Sequence, residues 1–73
     1  MSNKEDLLEL IGVVDEVLPS NMFRVRLEEN SHMLLAYLGG RLKQNKIKVI
    51  TGDRVRVEVS TYDLSKGRIT YRM

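Results

Sequence analysis

The stretch "LLELIGVVDEVL", Leu7–Leu18, decides the fold. Leu7, Leu10, Ile11 and Val14 fit a helical period of 3.6 residues, so an amphipathic helix is one reading. The other reading is a strand, because the segment is rich in β-branched residues and is interrupted by Gly12. Glycine inside a strand marks a bulge or a sharp bend, the feature with which a small barrel turns a corner. Gly12 and the valines after it favour the strand.

Working outward, "PSN" at 19–21 is a turn, since proline fixes φ and Ser and Asn bond nearby backbone. "MFRVRLE" then alternates, with Phe23, Val25 and Leu27 on one side and Arg24, Arg26 and Glu28 on the other. "ENSH" at 29–32 is a second turn and "MLLAYL" at 33–38 a third strand, apolar on both sides. "GG" at 39–40 ends this meander, and residues 41–46 suit a short helix or an irregular loop. "TGD" at 51–53 feeds "RVRVEVS", "YDLSKG" is another turn, and "GRITYRM" closes the chain. In that last strand Ile69, Tyr71 and Met73 fall on one side, and Arg68, Thr70 and Arg72 on the other. The prediction is an all-β domain over residues 7–73: a five-stranded Greek-key OB-fold barrel with a short helix or loop between strands three and four. Residues 1–6 are polar and are expected to be a flexible segment.

Seventy-three residues suffice for one domain with thin stability. With no cysteine, neither a disulfide nor a thiolate metal site supplements the core, and closure into a barrel is the available stabilising device. No apolar run approaches the roughly 20 residues of a membrane helix, and the start lacks the pattern of a signal peptide. A soluble protein in a reducing compartment is expected, with no membrane association.

Net charge is only +2, but its distribution is lopsided. Residues 1–38 carry three bases against seven acids; residues 39–73 carry nine bases against three acids. Fixed positive charge gathered in one half attracts a polyanion. Three basic clusters stand out: Arg41, Lys43, Lys46 and Lys48 in the insert; Arg54 and Arg56 in strand four; and Lys66, Arg68 and Arg72 at the end. Arg54 and Arg56 are equally suited to cross-strand pairing with acids.

Catalytic constellations are missing. The single His32 lies in a turn, no P-loop spacing exists, and the adjacent acids Asp15–Glu16 and Glu28–Glu29 alternate to opposite sides of a strand. No enzyme activity, cofactor or metal site is expected. Aromatic residues number four: Phe23, Tyr37, Tyr62 and Tyr71. Phe23 and Tyr71 are in phase with apolar neighbours and are predicted core residues, Tyr37 is open between core and surface, and Met22 and Met33 are read as packing residues. So few stacking platforms suit a long single strand poorly; folded RNA, recognised by shape and phosphate geometry, fits better.

"LPSNMFRVRLE", the insert "GGRLKQN" and "NKIKVITGDRVRVEVSTYDLSKGRI", in this order, closely resemble bacterial and organellar translation initiation factor one, an S1-like OB-fold family. The similarity runs from about Lys4 to Arg72. It implies a non-catalytic monomer that occupies the aminoacyl-tRNA site of the small ribosomal subunit during initiation. The implied partners are decoding-region ribosomal RNA, a neighbouring ribosomal protein and the two larger initiation factors. The implied location is the bacterial cytoplasm, or the plastid stroma for an organellar gene. Carried over residue by residue, the rRNA-facing positions are Arg41, Lys43, Asn45, Lys46, Lys66, Arg68 and Arg72, with Arg24 from the matched "MFRV". Three departures are local: the turn "LEENSH" is one residue longer than usual, Tyr37 stands where many members have histidine, and Lys46 replaces a ring. Two rival readings remain: a general single-stranded RNA-binding chaperone module, and a protein adaptor working through the acidic half from Glu5 to Glu29.

Overall fold

A computed structural model describes residues 7–73. The expectation for residues 1–6 lies outside the described residues. The elements run β1 (Leu7–Leu18), a 3-10 turn (Pro19–Asn21), β2 (Met22–Leu27), β3 (Met33–Leu38), α1 (Gly40–Gln44), β4 (Arg54–Ser60) and β5 (Asp63–Arg72). The strands close into a barrel in the order β1-β2-β3-β5-β4, the OB-fold arrangement. All neighbours are antiparallel except β3 and β5, which run parallel.

The twelve-residue β1 is a strand throughout, and it serves two neighbours. Leu7–Val13 pair with β4 and Gly12–Leu18 pair with β2, so Gly12 and Val13 belong to both ladders. Gly12 is the corner. A Cβ there would lie 2.5 Å from Val25 Cγ1 and 2.9 Å from the Arg26 carbonyl oxygen. The bulge follows three residues later, at Asp15, where the register with β2 shifts between Val14 and Glu16.

Alternation places Phe23, Val25 and Leu27 of β2, Leu34 and Ala36 of β3, and Val55, Val57 and Val59 of β4 inside. Val14, Ile69, Leu42 from α1 and Val49 from the following loop complete the core. Most of these side chains are β-branched, with few rotamers to lose on burial. No charged or polar side chain is buried among the described residues.

Three expectations are corrected. First, the helix spans Gly40–Gln44 rather than 41–46. It ends in a Schellman motif: the Lys46 N–H donates to the Lys43 carbonyl at 3.1 Å and the Ile47 N–H to the Leu42 carbonyl at 2.9 Å. Lys46 takes the left-handed conformation, φ 55°, that this cap requires. Second, most of "YDLSKG" is strand, since β5 begins at Asp63. Ser60 pairs with Asp63 and Val59 with Gly67, so the residues between them bulge from the β4 ladder. Third, a bulge at Thr70 breaks the alternation of β5: Val57 pairs with Ile69 but Arg56 pairs with Tyr71. Ile69 is fully buried, whereas Tyr71 is 55% exposed. Met33 likewise lies on the outer side of β3, exposed, and Met22 is half-buried.

Gly12→Ala is expected to destabilise the fold by about 1–3 kcal/mol, because the added methyl meets backbone and a stiff valine. Gly40→Ala, with nothing within 4 Å of its Cβ position, is expected to be neutral or stabilising by up to about 1 kcal/mol. Urea denaturation reads both, as a lowered midpoint for Gly12→Ala and an unchanged or raised one for Gly40→Ala, at an unchanged slope.

Candidate nucleic-acid interface

Pairing register assembles the outer face of β2, β3 and β5 from residues far apart in sequence. Arg24 sits opposite Leu35, and Leu35 beside Lys66. One step along, Met22 sits opposite Tyr37, Tyr37 beside Arg68, and Arg68 opposite Glu58. The result is two adjacent rows: Leu35 of β3 lies between two cations, Arg24 and Lys66, and Tyr37 lies between Met22 and Arg68. A shallow cavity of about 300 Å³ opens between Arg24, Met33, Leu35 and Lys66. Tyr37, left open by the sequence, is 48% exposed on this face. A ring and aliphatic carbon beside cations are what a nucleotide requires: a surface for the base and charge for the phosphate.

The insert meets this face at its edge. Leu42 is buried and pins α1 onto the barrel, leaving Arg41, Lys43 and Lys46 exposed. The Gly39 N–H donates to the Ile69 carbonyl at 2.8 Å, tying the start of the insert to β5. Arg41 and Arg68 thereby border one cavity of about 330 Å³, together with Thr70, Glu9 and Glu58. Lys43, Lys46 and Lys48 line another of about 440 Å³ over Phe23, Leu38 and Ile47. Asn45 is the C-cap of α1, its backbone N–H given to the Arg41 carbonyl at 2.9 Å. Arg72 stands apart from these rows. After the Thr70 bulge it pairs opposite Val55, and its guanidinium donates to the Lys48 carbonyl at 3.1 Å with Asp53 at 4.0 Å.

Not all the cations are equally available. Arg24 pairs with Glu16 at 3.0 Å, Arg26 with Asp15 at 3.5 Å, Arg54 with Glu28 at 2.7 Å, and Arg68 with Glu58. Asp15 and Glu16 were expected on opposite sides; the bulge at Asp15 lets both reach outward-facing arginines of β2. Arg41, Lys43, Lys46, Lys48 and Lys66 have no carboxylate partner among the described residues. The paired arginines are exposed, and such pairs are worth about 0–1 kcal/mol, so an incoming phosphate displaces the carboxylate at small cost.

One contributor escaped the sequence. Leu35 supplies the apolar centre of the first row, and the alternation of "MLLAYL" was the signal for it. Arg56 lies over the Tyr71 ring, 5.6 Å from its centroid, a cation–π contact made possible by the bulge at Thr70.

The same sequence and barrel recur in known proteins. The family model described as translation initiation factor 1A / IF-1 matches residues 1–73. A translation initiation factor IF-1 2 of Polynucleobacter asymbioticus is 56% identical over 69 residues, covering 94% of this chain and 79% of that protein. The solution structure of translation initiation factor IF-1 from the Wolbachia endosymbiont of Brugia malayi superposes with a TM-score of 0.78 at 40% identity, covering 99% of this chain and 84% of that one. The crystal structure of YjeQ from Thermotoga maritima is similar over 90% of this chain and 23% of that one, with a TM-score of 0.72 at 31% identity.

The Arg54–Glu28 pair sets a pH dependence. Hydrogen bonds from Arg54 hold the Glu28 carboxyl below the ordinary glutamate range, against a weaker opposing effect of desolvation. A depressed carboxylate stabilises the fold above its unfolded pKa, and the contribution is lost as pH falls through the folded value. An NMR titration of the Glu28 side-chain carboxyl is expected to show the low midpoint, and Arg54→Met to return it to the ordinary range.

Proposed function

The chain belongs to the translation initiation factor 1A / IF-1 family, and from that premise we propose that it binds the small ribosomal subunit at the aminoacyl-tRNA site. In this reading it contacts decoding-region ribosomal RNA and a neighbouring ribosomal protein, and works with the two larger initiation factors in the bacterial cytoplasm. Its action is occupancy and distortion without catalysis. The barrel fills a tRNA site while its cations hold RNA phosphates in a shifted arrangement.

One observation carries this reading: the register that places Arg24, Lys66 and Arg68 around the exposed Leu35 and Tyr37, with Arg41 bordering the same edge. Each cation sits on a strand or a pinned helix, so little backbone freedom remains to be lost when the RNA docks, and the ion-paired Arg24 and Arg68 have less side-chain freedom to lose as well. Lys43, Lys46 and Lys66, lacking carboxylate partners among the described residues, supply the net field that draws the RNA in. Asn45 offers an amide for a base edge or a sugar hydroxyl beside them. Arg72 acts from the side, held by the loop before β4.

The exposure of Tyr37, Tyr62 and Tyr71 favours a second reading, the general single-stranded RNA module, because three of the four rings are outside. Of these, Tyr71 has Arg56 over one face of its ring and Tyr62 lies at the β4–β5 turn, leaving Tyr37 as the ring set in the β3 rows beside Arg68. One platform suits an isolated unstacked base in folded RNA better than a run of bases.

If about five phosphates are neutralised, the logarithm of the small-subunit binding constant is expected to fall with log salt at a slope of about −3 to −5. Co-sedimentation across a salt series measures it; a slope near zero sinks the proposal, and equal affinity for unstructured RNA supports the second reading. Lys66→Ala is expected to weaken binding about fivefold with the fold intact. Lys46→Gly separates stability from binding. Glycine relieves the left-handed conformation and is expected to stabilise the fold by about 0.5–1 kcal/mol, yet the lost charge lowers ribosome affinity. Thermal unfolding and co-sedimentation on this one variant move in opposite directions.

A further inference from the structure

Among the described residues, the strand ends opposite α1 leave the barrel open in a cavity of about 840 Å³. Leu27 and Val59 form its floor, buried, with Leu10 half-buried beside them. Leu8 and Leu64 stand at its lip, 42% and 47% exposed. The wall on the β2–β3 turn is fixed: His32 Nε2 lies 3.0 Å from the Leu64 carbonyl, which only accepts, so the imidazole donates and ties the turn to the start of β5. The aliphatic side chains at this mouth are surface that a docking partner can remove from water.

The charge around it selects the partner. Glu9, Glu28 and Glu29 line the cavity, and no lysine or arginine among the described residues does. Arg54 reaches Glu28 with two hydrogen bonds, 2.7 and 3.0 Å, and is consumed by it. Glu9 and Glu29 have no cationic partner among the described residues. RNA is repelled here, whereas a cationic chain is attracted and then held by apolar burial. We propose that this mouth docks a segment of a protein partner in which aliphatic residues are interleaved with arginine or lysine. Aliphatic side chains enter between Leu8 and Leu64, and the cations meet Glu9 and Glu29. The acidic half of the chain thus has its own surface, which shares Glu9 with the groove of Arg41 and Arg68, and this inference does not depend on RNA being bound there.

Fluorescence anisotropy with the full chain tests it, using a short fluorescein-labelled peptide that alternates arginine and leucine. Matched peptides alternating arginine with serine, and glutamate with leucine, are the controls. Saturable binding of the arginine–leucine peptide is expected, with the arginine–serine peptide at least about tenfold weaker and the glutamate–leucine peptide unbound. Leu64→Ser and Glu29→Gln, both at exposed positions, are each expected to weaken binding about fivefold, and Lys66→Ala to leave it unchanged. Circular dichroism checks the fold of each variant. Equal binding of the two arginine peptides, or unchanged affinity in both Leu64→Ser and Glu29→Gln, overturns the proposal. Displacement of the peptide by an RNA hairpin assigns the mouth to nucleic acid and also overturns it. So does concentration-dependent sedimentation abolished by Leu64→Ser, which assigns the mouth to a second copy, or tighter binding by a chain beginning at Leu7, which assigns it to the chain's own first residues.

Discussion

Closure of the sheet is the constraint on which everything else depends. A chain of 73 residues without cysteine has no cross-link to restrict its unfolded state, and a core of a dozen side chains among the described residues offers little surplus. An open sheet of this size would expose two unpaired edges and half of its apolar surface. Bending β1 at Gly12 lets one strand serve both β2 and β4, and the parallel pairing of β3 with β5 completes the ring. Gly67 repeats the device on β5, pairing with Ala36 on one side and Val59 on the other. A Cβ at Gly67 would lie 2.9 Å from Val59 Cγ1, so close strand approach requires glycine there as at Gly12.

Closure also dictates where charge lies. In a barrel each strand has one inner and one outer side, so every alternating strand that buries valines presents its polar residues outward. Because β5 lies between β3 and β4, Arg68 has a neighbour on each side, while Lys66, in the segment that bulges from the β4 ladder, has one on β3. Facing β3 they meet Leu35 and Tyr37; facing β4, Arg68 meets Glu58. The same strand order therefore creates a cationic–apolar face and a partial neutralisation of it. Glu9 of β1 and Glu28 and Glu29 at the β2–β3 turn gather at the other strand ends, around the open mouth, while Asp15 and Glu16 of β1 pair with arginines of β2. The lopsided charge along the chain thus becomes a partial separation in space, which net charge alone conceals.

The strands were legible because a half-buried strand writes a period of two into its own residues. β1, β2, β3 and β4 begin where the alternation and turn residues place them, and "GG" followed by a polar run marked the insert. Irregularities were not legible. The bulge at Thr70 has no glycine or proline to announce it, and it turned Tyr71 from a predicted core residue into a surface one. "YDLSKG" is composed of turn-formers, yet its residues extend β5 because β3 offers Lys66 and Gly67 a second ladder. The left-handed Lys46 follows from a helix cap that composition does not reveal. For the site, residue types were readable but partners were not. The pairing of Arg68 with Glu58 joins residues ten apart on two strands, and the shared groove of Arg41 and Arg68 joins the insert to the last strand. Such contacts are properties of register, which a single sequence specifies only through the whole fold.

Ion pairing on the cationic face follows from the same requirement of rigidity. An arginine waiting alone on a surface samples many rotamers and must lose that freedom on binding. Arg24 and Arg68, each leaning on a carboxylate of the neighbouring strand, are already extended along the face. The exposed pairs contribute only about 0–1 kcal/mol, so their main effect is on geometry rather than stability. A phosphate bearing a full charge, met by two or three donors at once, displaces a carboxylate that stands in one contact. The unpaired lysines have the opposite character: mobile, strongly hydrated and long-range in their pull. Cations of the first kind fix the docked position and those of the second raise the rate of arrival. That division does not follow the elements strictly: the paired Arg24 and Arg68 lie on strands, and the unpaired cations lie on the insert and the loop that follows it but also, as Lys66, on β5 beside them.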